Sequence, residues 1–172
     1  MLADGTGIWT SRFLDIRPCG RTVAVSHKRC LEECFGLKTR ERELRRRIRS
    51  VLKRLGPLEG PAQAHSLTLA PKPEAVAIAQ AALDDLDGAI ERIATRPFSC
   101  RQIEEMLGIT ARERLRWTKD GRLPRSGSAT ITRGQRITLS TYAVDTVARL
   151  AGDASIIDDW RRTDEAGRIV QP

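Results

Sequence analysis

The strongest constraint on the fold is a run of helix-start and helix-stop signals between Ser99 and Pro124. Ser99 stands three residues before Gln102, the spacing of a capping box in which each side chain satisfies the other's backbone amide. Ile103 and Leu107 share one helical face. Gly108 then stops the helix, because glycine enters the left-handed conformation without strain. Only Ile109 separates that stop from Thr110, a second N-cap. The second helix, 111–119, closes at Asp120-Gly121 and is followed by Leu123-Pro124. Two short helices around a glycine-bearing turn form a helix-turn-helix.

The residues after Pro124 extend the unit. The strand-like runs 129–132 and 135–139 meet at Arg133-Gly134 and predict a basic hairpin. Ser140 is the expected cap of a last helix, 141–150, with Val144, Val147 and Ala148 facing inward. This order predicts a winged helix-turn-helix over residues 96–152. The segments Gln102-Ile103-Glu104-Glu105-Met106-Leu107-Gly108-Ile109-Thr110 and Arg116-Trp117-Thr118-Lys119-Asp120-Gly121-Arg122-Leu123-Pro124 carry a resemblance. They resemble the excisionase/MerR-type winged helix-turn-helix superfamily, in which a Leu-Gly-Val-Ser turn leads to a recognition helix ending Arg-Trp-x-Lys-Glu-Gly-x-Leu-Pro. Both glycines sit at the family spacing, and the likeness covers about a third of the chain. Arg114 departs from it, standing where the family carries an apolar residue. The resemblance implies that Trp117 is core and that double-stranded DNA is the partner.

A recognition helix reads base edges with residues near its N-terminus. The exposed set expected here is Arg112, Glu113 and Arg116, since arginine bonds guanine in two places and a carboxylate accepts from cytosine. Thr110 and the first-turn amides are candidates to hold a phosphate. Lys119 and Arg122 are placed along the duplex backbone, and Arg133, Gln135 and Arg136 on the wing reach the minor groove or its phosphates.

The rest of the chain is organised by charge. The net is +8 over residues 1–55, −4 over 56–95, +6 over 96–149 and −2 beyond, for +8 in all. In the first block, 21–25 is a strand candidate, Ser26 caps a helix to Phe35, and Gly36 stops it. A second helix runs from Thr39 to Leu55, with Leu44, Ile48, Val51, Leu52 and Leu55 on one stripe. Opposite lie Arg42, Arg45, Arg46, Arg49 and Lys53, which form either a solvated face or a set of phosphate contacts. Residues 57–73, with four prolines, read as a linker. Residues 74–95 read as a connector helix whose stripe of Val76, Ala79, Leu83, Leu86, Ile90 and Ile93 suits either core packing or a homodimer seam. Residues 153–172 form an acidic tail, in which Ile156, Ile157 and Trp160 are expected to pack a short helix back on the body. The fold class expected is mostly α: an N-terminal helical basic domain over residues 1–56, a connector helix, and a C-terminal winged helix-turn-helix with a small β-hairpin.

Several classes are set aside. No apolar run reaches the roughly 18–20 residues that cross a bilayer, so no membrane partner is expected. The start Met1-Leu2-Ala3-Asp4-Gly5 lacks the charged and apolar regions of an export signal, which favours the cytoplasm and the nucleoid. Cys19, His27, Cys30 and Cys34 lack the paired knuckles of a structural zinc site, so the thiols are assigned to packing and no metal or other cofactor is expected. Two histidines and one tyrosine leave little for catalysis, and Tyr142 is read as a packing residue rather than a nucleophile. The expected protein is not an enzyme. It is a DNA-binding transcription regulator or excision accessory factor of a bacterium, phage or mobile element. The alternative is an interaction or structural protein of a nucleoprotein or phage assembly, and RNA binding through 40–54 stays open.

Overall fold

A computed structural model describes the backbone of residues 9–133 and 135–169, and the side chains of these except 61–63, 131–133, 135, 137, 168 and 169. Its described residues form eight α-helices and two antiparallel sheets, divided between two compact units, 1–94 and 95–172. The chain is therefore mixed α and β, and the expected mostly helical class with one small hairpin is wrong.

The correction lies mainly in the N-terminal unit. Strands β1 (Asp15–Cys19), β2 (Thr22–Ser26), β3 (Leu58–Gln63) and β4 (Ser66–Leu69) form a sheet in the order β1-β2-β4-β3. Residues 57–73 thus contribute a hairpin rather than a linker. Of the four prolines in this segment only Pro61 lies in a strand, and its strand β3 is an edge of the sheet, as is β1 with Pro18. An edge strand has one side free of ladder bonds and tolerates a residue with no amide hydrogen.

Between β2 and β3 run helices α1 (Lys28–Glu33), α2 (Phe35–Lys38) and α3 (Glu41–Leu55). The helix expected to end before Gly36 instead breaks at Cys34, and Gly36 lies buried inside α2. After β4, a 3-10 turn at Pro73–Ala75 leads into α4 (Val76–Thr95). The α3 stripe of Leu44, Ile48, Val51, Leu52 and Leu55 packs with Val23, Val25, Leu67 and Leu69 of the sheet. Ala79, Leu83, Leu86, Ile90 and Ile93 of α4 complete that core. The α4 stripe is thus spent on the unit's own interior, and the helix is part of the domain rather than a connector. Asp87, only 5% exposed, anchors the segment before β1 by accepting from the Ser11 hydroxyl and, at 2.7 Å, from the Arg12 amide.

In the C-terminal unit, β5 (Phe98–Ser99) leads into α5 (Cys100–Leu107) and α6 (Ala111–Lys119). The hairpin β6 (Gly127–Arg133) and β7 (Gln135–Tyr142) joins β5 in the order β5-β7-β6. Ser140 caps nothing, because β7 continues through Tyr142, and α7 (Val144–Gly152) starts after Ala143. The tail forms α8 (Ser155–Ile169), which is long rather than short. No helix among the described residues is long and apolar enough to cross a membrane.

Candidate nucleic-acid interface

The two-helix element is set by its caps. Ser99 Oγ accepts from the Gln102 amide at 3.4 Å, and Gln102 Oε1 accepts from the Ser99 amide at 3.0 Å. Gly108 takes φ 61°, and the Ile109 amide returns to Glu104 O at 3.1 Å, closing α5 in the way that only a residue without Cβ does cheaply. The second box repeats the pattern. Thr110 Oγ1 accepts from the Glu113 amide at 3.2 Å, while Glu113 Oε2 accepts from the Thr110 amide at 2.7 Å. Thr110 is exposed, but its hydroxyl and amide are engaged in this cap.

Helix α6 has a structural side and a presented side. Trp117 is fully buried. Its Nε1 donates to Asp164 Oδ2 of α8 at 2.9 Å, and its ring meets Trp160 edge-on at 5.0 Å. Asp164 also accepts from Arg122 Nη2 at 2.6 Å and pairs with Arg116 Nε at 3.1 Å. Burial opposes ionisation of Asp164, but the hydrogen bonds from Arg122 and Trp117 outweigh it and hold its pKa below the ordinary carboxylate value. Arg122 additionally bonds Asp120 and the Trp160 carbonyl, and lies 5.8 Å from both tryptophan ring centres. Arg161 of α8 donates to Glu113 Oε1 at 2.8 Å and to Gly108 O at 2.9 Å. The bond to Glu113 is the main reason that carboxyl's pKa falls to about 2.

Arg114, the departure from the family pattern, is a clamp. Its guanidinium donates to Glu104 Oε1 at 2.6 Å and to the Tyr142 hydroxyl at 3.4 Å, joining α6 to α5 and β7. The same hydroxyl lies 3.0 Å from Thr118 Oγ1, so the fully buried Tyr142 is a packing and hydrogen-bonding residue.

These contacts re-sort the expected site. Glu113 has both carboxylate oxygens occupied and is not presented to a ligand. Arg122 is held by carboxylates and a carbonyl, and Arg116 is turned partly toward Asp164. Arg112, Lys119 and Arg136 are exposed. Arg112 and Lys119 have no ion-pair partner among the described residues. The side chains of Arg133 and Gln135 lie outside the described residues, as does Gly134. In the N-terminal unit, Arg42, Arg46, Arg49 and Lys53 are exposed along α3, and Arg45 is half-buried.

Sequence reasoning missed Leu115. It is 59% exposed and shares the outer face of α6 with Arg112, three residues before it, and Lys119, four after. The signal was present: with Trp117 assigned to the core, helical spacing puts residue 115 nearly opposite. Comparison with protein families, characterised proteins and solved structures found no match.

Proposed function

We propose that the C-terminal unit binds double-stranded DNA through the presented face of α6, as a transcription regulator or an excision accessory factor acting on the nucleoid. The observation that carries this reading is the division of α6 itself. Arg112, Leu115 and Lys119 point outward with no structural duty, while Glu113, Arg114, Arg116 and Trp117 anchor the helix to its neighbours. A helix seated in the major groove needs such a face: a cation for guanine, an apolar group for the thymine methyl and a cation for phosphate. Arg112 takes the first role, Leu115 the second and Lys119 the third, with Arg136 of the hairpin on an adjoining phosphate or minor groove.

Selection from a randomised duplex pool, followed by titration over a salt series, tests this. A single enriched motif whose binding weakens steeply with salt supports it. Arg112→Ala is then expected to cost about 1–3 kcal/mol and to relax one base position. Leu115→Ala is expected to lose discrimination between thymine and uracil, a difference of one methyl worth about 0.8 kcal/mol. The second reading, docking of a protein, is favoured by the same exposed Leu115. Absence of duplex binding at low salt would replace the DNA proposal with that one.

A further inference from the structure

We propose that the N-terminal unit holds a divalent transition-metal ion, zinc foremost, on His27, Glu41 and His65. The chain has only two histidines, and the fold brings both to one place. The register of the sheet does this. Strands β2 and β4 pair up to Ser26 opposite Ser66, so the next residues outward are His27 and His65, and the His27 amide donates to His65 O at 2.9 Å. Glu41, the first residue of α3, lies beside them with Oε1 3.6 Å from His65 Nδ1. The three ligand atoms all fall within 4.8 Å of one another.

The independent pointer is the condition of His27. It is 1% exposed, yet neither ring nitrogen has a hydrogen-bond partner, and His65 Nδ1 has none either. A buried polar atom left so costs about 1–3 kcal/mol, and binding an ion is one of the ordinary ways to satisfy it. Coordination through one nitrogen of His27 removes part of that cost.

The donor set selects the cation. Two imidazoles and one carboxylate suit zinc and its first-row neighbours, whereas calcium and magnesium require oxygen cages. Ligand atoms around tetrahedral zinc stand about 3.3 Å apart at the usual bond lengths of about 2.0–2.1 Å. The group therefore closes by small rotations of His65 and Glu41, whose side chains are 39% and 37% exposed. Three protein ligands leave a fourth position to water or to an incoming anion. No cysteine belongs to this group, and the buried Cys30 directs its Sγ to His27 O at 3.1 Å.

The test uses the full chain without an affinity tag, titrated with cobalt(II) and read by its visible absorption, then back-titrated with zinc. The expected result is one cobalt per chain with the tetrahedral band, displaced by zinc. His65→Ala and Glu41→Gln, at partly exposed positions, are expected to keep the circular dichroism of the parent. Both should weaken binding by about tenfold or more, at least the loss seen when a ligand merely loses its supporting hydrogen bond. Absence of saturable binding would overturn the proposal, leaving a buried water as the partner of His27. So would an unchanged band in both variants, or a sulfur-to-cobalt charge-transfer band.

Discussion

At Gly56, where α3 ends, an added Cβ would lie 2.0 Å from the Ala70 carbonyl oxygen. The Cβ is fixed in direction by the backbone and the carbonyl is part of it, so neither can swing away as the end of a flexible side chain would. Gly56→Ala is expected to destabilise the N-terminal unit by about 1–3 kcal/mol, the range of overpacking, read as a lower urea midpoint. Gly88 gives the opposite sign. It lies inside α4, and a Cβ there meets only Arg92 Nη1 at 3.7 Å. Gly88→Ala should raise the midpoint by roughly 0.5–1 kcal/mol of stability, because the glycine surrenders more backbone entropy on folding than alanine does. A common direction for the two variants would contradict this account.

At the scale of the element, α6 is held against α8 by ionised carboxylates, and this makes the C-terminal unit acid-sensitive. Glu113 titrates at about 2 in the folded chain, chiefly because of Arg161, and Asp164 is also held low. Both bind a proton less readily folded than unfolded, where carboxylates titrate near about 4. Their stabilisation is therefore complete above about pH 5 and is lost as pH falls toward 2. Thermal unfolding from pH 7 to 2 should show that loss, and Arg161→Ala should flatten Glu113's share of it. The same helices show what was legible in the sequence. Caps and stops are local chemistry, so Ser99, Gly108 and Thr110 announced α5 and α6 to within a residue. The α8 contacts were not legible, because nothing local says that Asp164 meets Arg116 and Arg122 or that Arg161 reaches Glu113. Without them, Glu113 and Arg122 read as ligand contacts. The N-terminal sheet was hidden for a different reason. Its edge strands DIRPC and LEGPAQ carry proline, and they depend on pairing with β2 and β4 rather than on propensity. The His27–His65 juxtaposition arises from that pairing and was hidden with it.

At the scale of the whole molecule, each unit has buried apolar residues of its own. One runs from Trp9 to Ala94, and the other includes Phe98, Ile103, Trp117, Tyr142, Val147 and Leu150. Fragments 1–95 and 96–172 should therefore each unfold cooperatively when prepared alone, with dichroism spectra that sum to that of the intact chain. A fragment lacking a cooperative transition would show that its interior is incomplete without the other.

The split of duties along α6 also bears on how such a protein changes over generations. Arg114, Arg116 and Trp117 are tied to Glu104, Asp164 and Trp160, so a substitution at one of them calls for a matching one elsewhere. Arg112, Leu115 and Lys119 carry no such obligation. On the proposed DNA-binding reading, drift at these three positions would change what the helix recognises and leave the scaffold beneath it unchanged.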